Sequence, residues 1–94
     1  MASGLAAKRV LYEGRVQGIG FRFSAKEVAE GFEVVGWVKN LPDGRVQLEV
    51  QGQSSEVAAF LEAIEKSHLR AHIHRKVVVN IEPVQALKGF LIRH

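Results

Sequence analysis

The hydrophobic pattern of this chain switches between two periods, and the order of the switches constrains its fold more than any other feature. From Lys8 to Gly14 the residues alternate, with Val10, Tyr12 and Gly14 on one face and Leu11 and Glu13 on the other, the period of a β-strand. From Phe21 to about Phe32 the period lengthens. Ala25, Val28, Ala29 and Phe32 stand at i, i+3, i+4 and i+7, one apolar stripe of a helix, whose last turn Gly31 weakens. Val34 to Asn40 returns to alternation, with Val34, Gly36 and Val38 opposed to Val35 and Trp37. Leu41-Pro42-Asp43-Gly44 then reads as a hairpin turn, since proline presets one dihedral, aspartate bonds local backbone and glycine takes the left-handed position. Arg45 to Gln51 alternates cleanly, Val46, Leu48 and Val50 inward, as in a half-buried antiparallel strand. Ser54 or Ser55 is the expected N-cap of a second helix with Val57, Phe60, Leu61 and Ile64 on its stripe and a Glu62–Lys66 pair at i, i+4. Ile73 to Ile81 is a strand, Glu82-Pro83 ends it, and Phe90 to Ile92 is a short final strand.

Two helices with one apolar stripe each imply a single sheet face covered by both. The order strand, helix, strand, strand, helix, strand, with a short fifth strand, predicts an α+β sandwich of the ferredoxin-like βαββαβ kind. Ninety-four residues make one domain, expected over 8–94 behind a disordered tail at 1–7. That tail lacks the charged start and apolar run of a signal peptide, and no apolar run approaches membrane-spanning length. The chain has no cysteine, which excludes disulfides and thiolate metal sites and fits a reducing, cytoplasmic setting. A formal charge of +3 favours anionic partners without choosing among them.

Between the first strand and the first helix lies Gly14-Arg15-Val16-Gln17-Gly18-Ile19-Gly20-Phe21-Arg22. Glycine allows positive φ and close approach of main chain to a ligand. Successive N–H groups in such a turn converge into an anion-binding nest, and the helix start adds unpaired donors. Arg22 supplies a permanently charged planar fork suited to phosphate oxygens. Glycines between a strand and a helix also serve simply to make a tight turn, so spacing alone leaves both readings open. No Gly-Lys-Ser/Thr follows, as a Walker loop requires, and the dinucleotide spacing is absent. Asn40, at the end of the second strand, is either a turn residue bonding its own backbone or, beside a phosphate cradle, a carboxamide that orients a water by donating and accepting at once.

What is missing narrows the chemistry. No His, Asp, Glu, Cys or Lys falls between Gly14 and Arg22, and Ser24 has no basic neighbour in view. Hydrolysis of an ordinary phosphate ester expels an alkoxide and calls for a general acid or a metal. An acyl phosphate expels a carboxylate, whose conjugate acid has a pKa of about 4, and needs only positioning, charge neutralisation and one oriented water. Arg22, the loop amides and Asn40 supply that set.

On the residues Gly14 to Arg22, then Gly36-Trp37-Val38-Lys39-Asn40, then Asp43-Gly44, the sequence resembles the acylphosphatase family, and the resemblance runs over essentially the whole chain. It implies hydrolysis of small-molecule acyl phosphates to carboxylate and inorganic phosphate, with no metal or cofactor. It also implies a cytoplasmic monomer and a mostly antiparallel sheet in the order 4-1-3-2-5. By that resemblance the phosphate is held by the loop Arg15, Val16, Gln17, Gly18, Ile19, Gly20 and Phe21 together with Arg22, and Asn40 positions the water. The pattern departs from the family's at Glu33, where glycine is usual and Gly31 stands nearby instead. It departs again after the second helix, where a Gly-Pro turn gives way to a basic run from Lys66 to Lys76. His68, His72 and His74 in that run have no acidic groups beside them and read as a solvated loop rather than a metal site. Its charge raises the rival reading of a non-catalytic module binding nucleic acid or an acidic protein. Against nucleic acid, the third strand carries no aromatic residue and the first only Tyr12, so no base-stacking platform is visible. A third reading is that the domain hydrolyses a phosphorylated protein carboxylate rather than a metabolite.

Overall fold

The computed structural model describes residues 4–94. In chain order the elements are β1 (Leu5–Gly14), α1 (Phe21–Ala29), β2 (Val34–Asn40), β3 (Val46–Gln53), α2 (Ser54–Lys66), a short 3-10 helix (His68–His72), β4 (Ile73–Asn80) and β5 (Phe90–Arg93). The sheet order is β4-β1-β3-β2-β5. All pairings are antiparallel except that of β5 with β2, which is parallel. The ferredoxin-like architecture and the strand order expected from the sequence are both present.

Alternation builds the core directly. Val10 and Val38 are both register partners of Leu48, and the helix-facing rows meet Phe21, Ala25 and Ala29 of α1 and Val57, Phe60 and Ile64 of α2. Phe60 sits between Phe32 and Phe90 with edge-on ring contacts at 6.2 and 5.5 Å, the geometry aromatic quadrupoles favour. That contact joins α2 and the turn after α1 to the parallel fifth strand.

Several boundaries differ from the periodic reading, each for a local reason. β1 begins at Leu5, so residues 5–7, read as tail, pair with Gln51 to Gln53; Met1 to Ser3 lie outside the described residues. α1 ends at Ala29 rather than near Phe32. Gly31 N and Phe32 N donate to Val28 O and Ala29 O, three residues back, a tightened last turn that still delivers Phe32 to the core. Neither Ser54 nor Ser55 caps α2: Gln53 is the cap, and Ser54 N donates to the Gly4 carbonyl at 3.2 Å. β3 therefore runs into the helix without a loop. Val77 and Val79 share a face as expected, and Ile81 lies just past the strand.

Candidate active site

Three apolar residues pin the glycine-rich loop. Val16 is fully buried, Ile19 packs against the core, and Phe21 is 2% exposed, its ring centroid 5.0 Å from that of Tyr12. Burial, with a smaller contribution from the Glu65 charge, pushes the Tyr12 phenol far above its usual range, so a neutral ring backs the start of α1. Between these anchors Gly18 and Gly20 take φ of 80° and 78°, left-handed conformations costly for other residues. Gly14, where the β1–β4 register shifts, opens the loop at a point where a Cβ would strike the His72 carbonyl oxygen.

Side chains thus go inward and main chain faces a cavity of about 330 Å³, lined by Val16, Gly18, Gly20, Phe21, Arg22 and Asn40, with Phe23, Ile92 and His94. Among the described residues, the N–H groups of Val16 to Phe21 have no main-chain acceptor. The Arg22 guanidinium meets the Arg93 carbonyl and His94 Nδ1, both at 3.2 Å and both through Nη1. Nε and Nη2 have no protein partner among the described residues. Asn40 makes no side-chain hydrogen bond to its own backbone there either, and it opens onto the same cavity as Arg22.

Gln17 explains how two distant segments keep this relation. Its Nε2 donates to Leu41 O at 2.8 Å and Arg45 O at 2.9 Å, tying the loop to the turn directly after Asn40. That turn is closed by Asp43, which accepts from Arg45 N at 3.0 Å and Arg45 Nε at 2.8 Å. The hydrogen bonds from Arg45 hold the Asp43 carboxyl below the usual carboxylate range.

Of the residues expected at the site, Val16, Gly18, Gly20, Phe21, Arg22 and Asn40 line one cavity. Arg15, Gln17 and Ile19 do not. The Arg15 amide, read as a donor of the cradle, instead donates to His72 O at 3.0 Å; the bulge at Gly14 turns it toward β4. Gln17 braces the turn through its side chain, and Ile19 anchors. The sequence reading missed Phe23, Ile92 and His94. Phe23 carried a signal, as an aromatic residue off the apolar stripe of α1. The other two are brought in by the parallel placement of β5 beside β2, which local pattern does not encode.

The basic run behaves differently. His68 Nε2 lies 3.3 Å from Ser24 Oγ, so Ser24 does have a basic neighbour, but among the described residues no third group orients that imidazole as an activated nucleophile requires. Among the described residues no three His, Cys, Asp or Glu side chains gather as metal ligands. Tyr12 is fully buried and cannot stack on a base. Trp37 is covered by Arg93 and Lys39, 4.7 and 5.9 Å from its ring.

Fold and site together define a class: a ferredoxin-like domain with a glycine-rich loop, an arginine and a carboxamide around one cavity at one end of its sheet. Comparison with known proteins gives the family. The acylphosphatase family model matches residues 8–92. An acylphosphatase of Pseudomonas paraeruginosa is 41% identical over 85% of this chain and 87% of its own. One from Methanospirillum hungatei is 36% identical over 92% and 97%. The crystal structure of acylphosphatase from Bacillus subtilis superposes with a TM-score of 0.85 at 30% identity, covering 97% of this chain and all of that one. The chain belongs to the acylphosphatase family, and its reaction is the hydrolysis of acyl phosphates. No helix among the described residues is long and apolar enough to cross a membrane.

Proposed function

We propose that Arg22 and the main-chain amides from Val16 to Phe21 hold the phosphoryl group of the acyl phosphate, and that Asn40 aims the attacking water. The observation that carries this reading is the shared cavity: the Arg22 guanidinium, the Asn40 carboxamide and Val16, Gly18, Gly20 and Phe21 border one space, and among the described residues the N–H groups of those four have no main-chain acceptor. The amides and guanidinium match the charge that spreads over the equatorial phosphoryl oxygens in the transition state. Asn40 accepts a hydrogen bond from the water and keeps its lone pair in line with phosphorus. As the new P–O bond forms, the bond to the acyl oxygen breaks and its electron pair leaves with the carboxylate. The water's proton passes to a phosphoryl oxygen of the substrate, so no side chain acts as a base. We place this activity in a cytoplasmic monomer, in keeping with a chain without cysteine.

Two substitutions test the division of labour. Arg22→Gln is expected to abolish both turnover and competitive inhibition by inorganic phosphate. Asn40→Ala is expected to lower kcat by about a hundredfold or more while the phosphate inhibition constant stays near wild type. A wild-type kcat in Asn40→Ala would remove the asparagine from the mechanism.

A further inference from the structure

The cradle accounts for the phosphate and leaves the rest of the substrate unaddressed. A cavity of about 330 Å³ is at the lower end of the roughly 300–1,000 Å³ of small-molecule sites, and a phosphate group alone fills a minor part of it. The acyl carbon is one oxygen away from phosphorus, so the acyl substituent must lie against whatever borders the cradle. That border includes Phe23 and Ile92.

Phe23 is out of place for an ordinary helix residue. The buried face of α1 is Phe21, Ala25 and Ala29, and Phe23 lies about 200° round the helix from Phe21. It is 61% exposed. A single exposed aromatic needs no explanation by itself. This one directly follows the guanidinium assigned to phosphate and shares its cavity with Ile92, a partly buried residue packed on the core.

We infer that Phe23, with Ile92 beside it, is the acyl-recognition surface, and that the chain selects acyl phosphates with an aromatic or bulky apolar acyl group over small ones. The inference rests on the phosphate cradle proposed above. An aromatic acyl group loses water on both its surface and that of Phe23, and a ring pair adds attraction beyond area burial. The contact is made in ground state and transition state alike, since it is remote from phosphorus, so it acts on KM more than on kcat.

The test compares benzoyl phosphate with acetyl phosphate in wild type, Phe23→Ala and Phe23→Leu, with inorganic phosphate as inhibitor throughout. In Phe23→Ala the ratio of kcat/KM for benzoyl to acetyl phosphate is expected to fall about tenfold, carried mainly by KM for the benzoyl substrate. Phe23→Leu should recover part of it, and phosphate inhibition should keep its wild-type constant. An unchanged ratio overturns the inference. So does a loss shared equally by both substrates, or a weakened phosphate inhibition, because either would make Phe23 a support of the cradle. Failure of the cradle itself reads separately, as retained phosphate inhibition in Arg22→Gln.

Discussion

The loop before α1 and the segment after α2 are both short, basic connections that reach the same side of the sheet, yet they use their atoms in opposite ways. In the first, apolar side chains are sunk into the core, and among the described residues the amides from Val16 to Phe21 have no main-chain acceptor. In the second, several backbone donors already have acceptors in the segment itself or at the end of α2. Ser67 N donates to Ile64 O, Arg70 N to Ser67 O, and Leu69 N to the Ser67 hydroxyl, while Leu69 is fully buried. Unpaired backbone donors at a water-accessible cavity are held ready for a ligand; donors already closed on themselves are not. Charge counts do not separate the two segments, and hydrogen-bond bookkeeping does.

The strongest way to break this contrast is to attack the second segment. Leu69→Ala leaves a void beneath the 3-10 helix and is expected to cost about 2–5 kcal/mol of stability, a fall in Tm of roughly 10 °C or more for a domain of this size. Activity per folded molecule and phosphate inhibition should survive at temperatures below the new transition. A specific loss of turnover in a variant still folded by circular dichroism would show that the segment serves the site as well as the core.

Much of this could be read from the sequence, and the failures have a common cause. Strict alternation in β3 and the i, i+3, i+4 stripe of α2 are local signals, and both elements are present, although β3 runs on to Gln53 where the pattern ended it at Gln51, and the cap differs. Arg22 and the glycines were visible because positive φ and a guanidinium leave a trace in residue type. The Arg15 amide could not be excluded from the cradle, because its acceptor, His72 O, lies far along the chain. His94 and Ile92 were missed for the same reason, as was the Gln17 brace. In each case the partner is supplied by sheet topology, and the residue's type is compatible with several surroundings.

Gln17 gives a sharper and smaller test. Removing its carboxamide frees Leu41 O and Arg45 O, but these still accept from Gly44 N and Leu41 N respectively. The stability cost of Gln17→Ala should therefore be about 1 kcal/mol. Its effect on catalysis should be larger in proportion, about tenfold in kcat, because a misplacement of Asn40 by a fraction of an ångström degrades the approach of the water. Phosphate inhibition should change little. Equal losses in kcat and phosphate affinity would mean that Gln17 shapes the cradle and not the distance between its two halves.

The smallest expected effect comes from the turn that Gln17 grips, and its sign follows from linkage. The two hydrogen bonds from Arg45 lower the Asp43 pKa in the folded chain, so the folded state holds the proton less tightly than the unfolded state. The resulting stabilisation is present above the unfolded pKa near 4 and disappears as pH falls through the lower folded value. Glu13, 3.9 Å from Arg45, is the other carboxylate facing this pair. Asp43 is exposed and the pair is screened by solvent, so Asp43→Asn should lower Tm only slightly at neutral pH. The gap between Asp43→Asn and wild type should narrow steadily once the pH falls below about 4, in thermal melts recorded across that range. A gap that stayed constant with pH would trace the effect to turn geometry rather than charge, and would leave the support of Asn40 to Gln17 alone.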